Sequence, residues 1–151
     1  MNKVGYLWVA AAFLSLLVSC KRQFDSQVVE SYADGRPKVV REFVLSNQED
    51  TLLTKEIFYF PGEKKYMEKQ YDAQGKPEGV WVSWYENGNK NSQGTYENGK
   101  WQGLYRVWYP NGKLHYTGEY DKGVRVGVWK FYDSTGTLVR KEELTLVERP
   151  M

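Results

Sequence analysis

The chain has 151 residues, with 21 Lys and Arg against 19 Asp and Glu, for a formal charge of +2. That balance argues against a nucleic-acid binder, which needs a strong basic excess to neutralise phosphates. The single cysteine, Cys20, rules out an internal disulfide and a multi-cysteine metal site. Aromatic residues make up 16% of the chain and 14 glycines punctuate it, a composition suited to short strands joined by tight turns.

Residues 1–19 form a targeting segment, set aside from the fold. Lys3 supplies the positive start, Val4 to Leu16 the apolar stretch, and Leu17-Val18-Ser19-Cys20 the close. The run from Val4 to Ser19 has 16 residues, short of the roughly 20 that a bilayer core requires. It resembles a bacterial lipoprotein signal. The resemblance implies cleavage before Cys20, which would carry a diacylglycerol and become the mature N-terminus. Two or more acyl chains hold a protein stably on a membrane where one does not. By analogy with lipoprotein sorting, Lys21 in place of an aspartate points to the outer membrane of a Gram-negative envelope.

Residues 20–31 are polar without a clean period and are expected to be a tether. A worn repeat occupies residues 32–70. Tyr32-Ala-Asp-Gly35 is followed eight residues later by Phe43, and Phe60-Pro-Gly62 by Tyr71. Between them, Pro37 to Leu45 and Thr51 to Phe60 are expected to be strands around a polar turn, Ser46 to Asp50.

Three clean copies fill residues 71–147. Gly79, Gly103 and Gly127 stand 24 residues apart, and so do Gly88, Gly112 and Gly136; Gly75, Gly99 and Gly123 keep the same step. A fixed period of this length marks a repeat architecture. Each copy opens with a strand such as Val80 to Glu86, turns at Asn87-Gly88, Asn111-Gly112 or Ser134-Thr-Gly136, and returns along Lys90 to Tyr96, Lys113 to Tyr120 or Thr137 to Leu144. Asn-Gly predicts a type I′ hairpin turn, which needs two residues tolerant of positive φ. The fold class expected is all-β: an elongated, single-layer antiparallel meander of hairpins with period 24. Each hairpin is marginal alone and gains stability from its neighbours.

Alternation along the strand places Leu114, Tyr116, Gly118 and Tyr120 on one face and Lys113, His115, Thr117 and Glu119 on the other. Gly94 and Gly118 occupy matched positions where a missing side chain lets a neighbouring ring lie across the strand. Glu142 stands there in the third copy, so that contact should be absent near the C-terminal end.

The pattern Gly-x-Trp-x-x-Tyr followed by Asn-Gly resembles the MORN repeat in its bacterial variant. Leu104-Tyr105 departs from the Trp slot in copy two, and Ser134-Thr135 from the Asn turn in copy three. The resemblance implies a β-meander used for protein contacts, self-association or membrane proximity, with no catalysis of its own. Bacterial relatives often carry the label of YwqK-type antitoxins.

No catalytic set stands out. His115 is the only histidine, which excludes a usual zinc site. The glycines are spaced for turns, with neither a nucleophile elbow nor a phosphate loop among them. No enzyme, metal or cofactor is expected. The aromatic ladder of Trp81, Trp84, Tyr85, Trp101, Tyr105, Trp108, Tyr109, Tyr120, Trp129 and Tyr132 is expected to pack mostly within the sheet. A single layer cannot cover both faces, so some rings should face a partner. Trp101, placed by its flanking Asn98-Gly99 and Gly103 in a loop between hairpins, is the first candidate contact, with Trp84, Trp108 and Tyr109 beside it. The expected role is a lipid-anchored envelope scaffold that binds a protein. The alternatives are a glycan- or peptidoglycan-binding module and an antitoxin-like protein.

Overall fold

The computed structural model describes residues 24–45 and 51–144. Its strands are β1 (Phe24–Ser31), β2 (Pro37–Leu45), β3 (Thr51–Tyr59), β4 (Lys65–Gln70) and β5 (Gly79–Trp84), then β6 (Lys90–Glu97), β7 (Lys100–Trp108), β8 (Leu114–Asp121), β9 (Val124–Tyr132) and β10 (Leu138–Leu144). They pair in sequence order as one open antiparallel sheet, with β1 and β10 at its margins. The worn strands of residues 32–70 therefore continue the same sheet as the clean copies. Appreciable contact runs only between strands adjacent in sequence, the one-dimensional coupling of a repeat protein.

Residues 24–31, assigned to the tether, are strand β1, registered on β2 from Phe24↔Val44 to Ser31↔Pro37. The side chains from Asp25 to Ser31 are all exposed. This strand is held by backbone pairing rather than burial, so no alternation marks it. The signal segment 1–19, Cys20 and the turn Ser46–Asp50 lie outside the described residues.

The turns also differ from the Asn-Gly expectation. Tyr85 N–H donates to Asn89 O at 2.8 Å and Gly88 N–H to Tyr85 O at 2.9 Å, and the loops after Tyr32, Phe60, Tyr109 and Asp133 repeat this pair of bonds. Each is a three-residue loop closed by one left-handed residue: Gly35, Glu63, Gly88, Gly112 or Gly136. Positive φ at one position, not two, is the signature of a type I turn with a G1 bulge. Asn87 and Asn111 serve through their side chains, each Oδ1 accepting the backbone N–H two residues on at 3.0 Å. Two-residue turns with both φ positive lie at the opposite strand ends, at Asn98-Gly99 (52° and 76°) and Lys122-Gly123 (50° and 87°). At that same end, Gly75 closes a longer loop, Asp72–Lys76, built like the first class.

The outgoing strands are bulged against the preceding return strand. The pairs Gln93↔Arg106 and Thr95↔Gln102 leave Gly94 facing three residues, Gly103-Leu104-Tyr105. The pairs Thr117↔Lys130 and Glu119↔Val126 do the same for Gly118 and Gly127-Val128-Trp129. Bulges sharpen local twist and re-aim side chains. Here they fold a ring back over a glycine. A Cβ on Gly118 would stand 2.1 Å from Trp129 Cδ2, and one on Gly94 would stand 2.6 Å from Tyr105 Cδ2 and 2.7 Å from Trp101 Cζ3. At the C-terminal margin Glu142 pairs with Trp129 from β10 and accepts a hydrogen bond from Arg125 at 3.1 Å. The Arg125 guanidinium lies 3.9 Å from the Trp129 ring, capping the last indole with a cation.

Candidate functional site

Cross-strand pairs align into rows on one face of the sheet. One row runs Val39, Phe58, Met67, Ser83, Ser92, Val107, Tyr116, Phe131, Arg140. The next row runs Arg41, Glu56 and Lys69, then alternates Trp81, Gly94, Tyr105, Gly118, Trp129 and ends at Glu142. Val39, Val107 and Trp129, three of the four buried apolar side chains among the described residues, lie on this face, together with buried Glu56 and Ser83. A single sheet can bury side chains on one face only through its own rings and bulges.

The rings form a connected ladder. Trp81 lies 4.5 Å from Tyr96, Tyr96 lies 3.8 Å from Trp101, and Trp101 meets Tyr105 edge-on at 5.2 Å. Tyr120 meets Trp129 at 5.2 Å in a T-shaped contact, and Tyr116 reaches Phe131 at 5.8 Å. Burial pushes the Tyr96, Tyr105 and Tyr116 hydroxyls up from their ordinary range, so all three stay neutral donors.

Trp101 is not in a loop. It is the second residue of β7, half-buried between Tyr96, Trp81 and Tyr105. The two-residue turn at Asn98-Gly99 is short enough that β7 begins at Lys100, which draws Trp101 into the sheet. Trp84 and Trp108 follow Ser83 and Val107 in sequence, so alternation places both on the opposite face. They are half-buried, with Lys90 Nζ 5.8 Å from the Trp108 ring. Tyr109 stacks on His115 at 4.2 Å. Its hydroxyl donates to Tyr132 O at 2.9 Å, as Tyr85 does to Trp108 O at 2.8 Å. These tyrosines stitch successive copies together at the turns. Asn111 Nδ2 to Ser134 O and Asn87 Nδ2 to Pro110 O do the same at 2.8 and 2.7 Å. Cys20 and Leu17-Val18-Ser19 lie outside the described residues.

Sequence reading missed two features. The first is a polar cluster where the glycine position is taken by Lys69. Glu68↔Val82 and the bond from Glu78 N–H to Gln70 O, 3.0 Å, leave Lys69 opposite Gly79-Val80-Trp81. The longer loop to Gly75 shifts β4 by one residue, which is why the 24-residue step does not find Lys69. Its ammonium stands 5.0 Å from the Trp81 ring and 4.8 Å from Phe58. Beside it, Glu56 accepts hydrogen bonds from Arg41 Nε at 2.9 Å and Tyr71 Oη at 2.5 Å. Burial works to raise the Glu56 carboxyl, but the Tyr71 and Arg41 hydrogen bonds outweigh it and hold the group below its ordinary range. The second feature is a hollow of about 310 Å³ at Ser83 and Ser92, walled by Trp81, Trp101 and Tyr105 with Met67 and Lys69 at one side. The two serine hydroxyls share a hydrogen bond of 2.7 Å.

Residues 77–98, 101–122 and 125–144 each match the family model of the MORN repeat variant. These segments coincide with the three clean copies. Their bounds fall where the structure has hairpins β5–β6, β7–β8 and β9–β10. No curated protein matches the chain. Among solved structures, the chain is similar to a protein of unknown function from Bacteroides fragilis at 11% identity. That match covers 85% of this chain and 97% of the other, with a TM-score of 0.31.

Proposed function

We propose that the protein is a non-enzymatic scaffold of the bacterial cell envelope, anchored by lipid at Cys20, that uses its MORN-variant sheet to hold a protein partner. The carrying observation is the row of rings on one face, interrupted by an aromatic-walled hollow. Well-packed aromatic groups around a depression are the usual anchor points of protein interfaces. The opposite face adds Val80, Leu104 and Val128, exposed apolar side chains at equivalent positions of the three copies.

Two experiments test this. Labelled palmitate should enter the wild-type chain and not Cys20→Ala; equal labelling of both removes the anchor. Crosslinking in intact cells followed by purification should recover one partner in stoichiometric yield. Recovery of the chain alone, as a monomer, counts against the scaffold.

A further inference from the structure

Along the first row, the repeat backbone stays constant while the filling changes. At the 24-residue step Ser83 corresponds to Val107 and Phe131, and Ser92 to Tyr116 and Arg140. The later copies fill this place with bulk; the first clean copy leaves it hollow. Nothing in the backbone requires serine, because the next copy carries Val107 and Tyr116 on the same cross-strand pairing. The hydroxyls bond to each other at 2.7 Å and leave the walls of Trp81, Trp101 and Tyr105 facing open space.

We propose that this hollow receives one apolar side chain of the partner protein, with an acidic residue next to it in the partner facing Lys69. This rests on the protein-binding reading above. A volume of about 310 Å³ is at the low end for ligand sites and suits a single side chain rather than an extended ligand. The polar groups of the lining are few: two serine hydroxyls that share one hydrogen bond, the Tyr105 hydroxyl and the Lys69 ammonium. A sugar ring carries more hydroxyls than these few groups can satisfy, and each one buried without a partner is costly, whereas an apolar side chain brings none and packs on the three rings. Charge selects the neighbour. Lys69 makes no ion pair among the described residues and stands over two aromatic faces at the rim, where a partner carboxylate could pair with it.

The test uses the lipid-anchored chain in detergent and the indole N–H signals of Trp81 and Trp101, titrated with N-acetyl-Phe-Asp-amide, N-acetyl-Phe-Lys-amide and N-acetylglucosamine. The acidic dipeptide should move the Trp81 and Trp101 signals saturably, with a Kd several-fold below that of the basic one. The Ser83→Val/Ser92→Tyr double variant, which copies the next repeat, should bind at least tenfold more weakly. Should that variant fail to fold, Lys69→Glu should reverse the charge preference. Absence of any dipeptide shift, an unaffected double variant, an unchanged preference in Lys69→Glu, or tighter binding of N-acetylglucosamine at the same indoles overturns the pocket. If crosslinking in cells still recovers the partner with the double variant, the pocket is wrong and the scaffold stands.

Discussion

Gly118→Ala is the sharpest test of the bulge-and-ring packing. Gly118 has no positive φ, so alanine suits its backbone, and in a strand the exchange would ordinarily stabilise by about 0.5–1 kcal/mol. Here the new methyl would lie 2.1, 2.3 and 2.5 Å from Cδ2, Cε2 and Cγ of Trp129. These atoms are at the root of the indole, so a rotamer change at the far end of the side chain gives no relief. Trp129 is only 2% exposed and lies beneath Arg125. Either the β8–β9 spacing opens, at roughly 1–3 kcal/mol for an overpacked site, or the indole leaves, at roughly 3–5 kcal/mol for a lost buried aromatic. Less the backbone gain, the expected loss is about 1–2 kcal/mol if the spacing opens and about 2–4 kcal/mol if the indole leaves. Urea unfolding followed by tryptophan emission measures it, and the native emission should shift to the red if the indole leaves. In a double-mutant cycle with Trp129→Leu the two costs should fall well short of additive, because the smaller side chain makes room for the methyl. A Gly118→Ala midpoint equivalent to wild type within about 0.5 kcal/mol, the usual scatter of surface exchanges, refutes the packing described here.

Other expectations follow from the same geometry. Glu63→Gly should stabilise by about 0.5–1 kcal/mol, read from the thermal midpoint, because Glu63 holds φ 63° at a loop position that glycine fills in the four equivalent loops. Tyr85→Phe and Tyr109→Phe should each cost about 1 kcal/mol by removing a hydroxyl bond to the next copy, measured by urea unfolding. Glu56 has a folded-state pKa below its unfolded value, so its contribution is full above the ordinary carboxylate range near pH ~4.3 and is lost as pH falls through the lower folded value. Urea midpoints taken at falling pH should therefore drop more steeply for wild type than for Glu56→Gln across that window.

The legible parts of the molecule were those written locally. Glycines at a constant step, aromatic residues between them and polar turns were enough for an all-β meander, and Gly94 and Gly118 could be recognised as openings for a ring. Strand limits such as Pro37–Leu45 and Leu138–Leu144 match expectation within a residue. Turn class was less legible, because Asn-Gly suits both a two-residue turn and a bulged three-residue one. The choice depends on how many residues the flanking strands give up to pairing. The place of Trp101 is hidden for the same reason: its neighbours Asn98-Gly99 and Gly103 look like a loop, yet the positive-φ turn ends at Gly99 and the strand starts at once.

By itself, the sequence determined that the chain repeats, that it is built of strands, and which glycines recur at equivalent bends. Only the tertiary structure decided that β1 belongs to the sheet, that Lys69 takes the glycine's place beneath Trp81, and that Ser83 and Ser92 meet as a gap in the ladder. The physical reason is register. A period along the chain fixes what each hairpin contains, but bulges and loop lengths determine which residues of different hairpins stand side by side, and the candidate site is made of those neighbours.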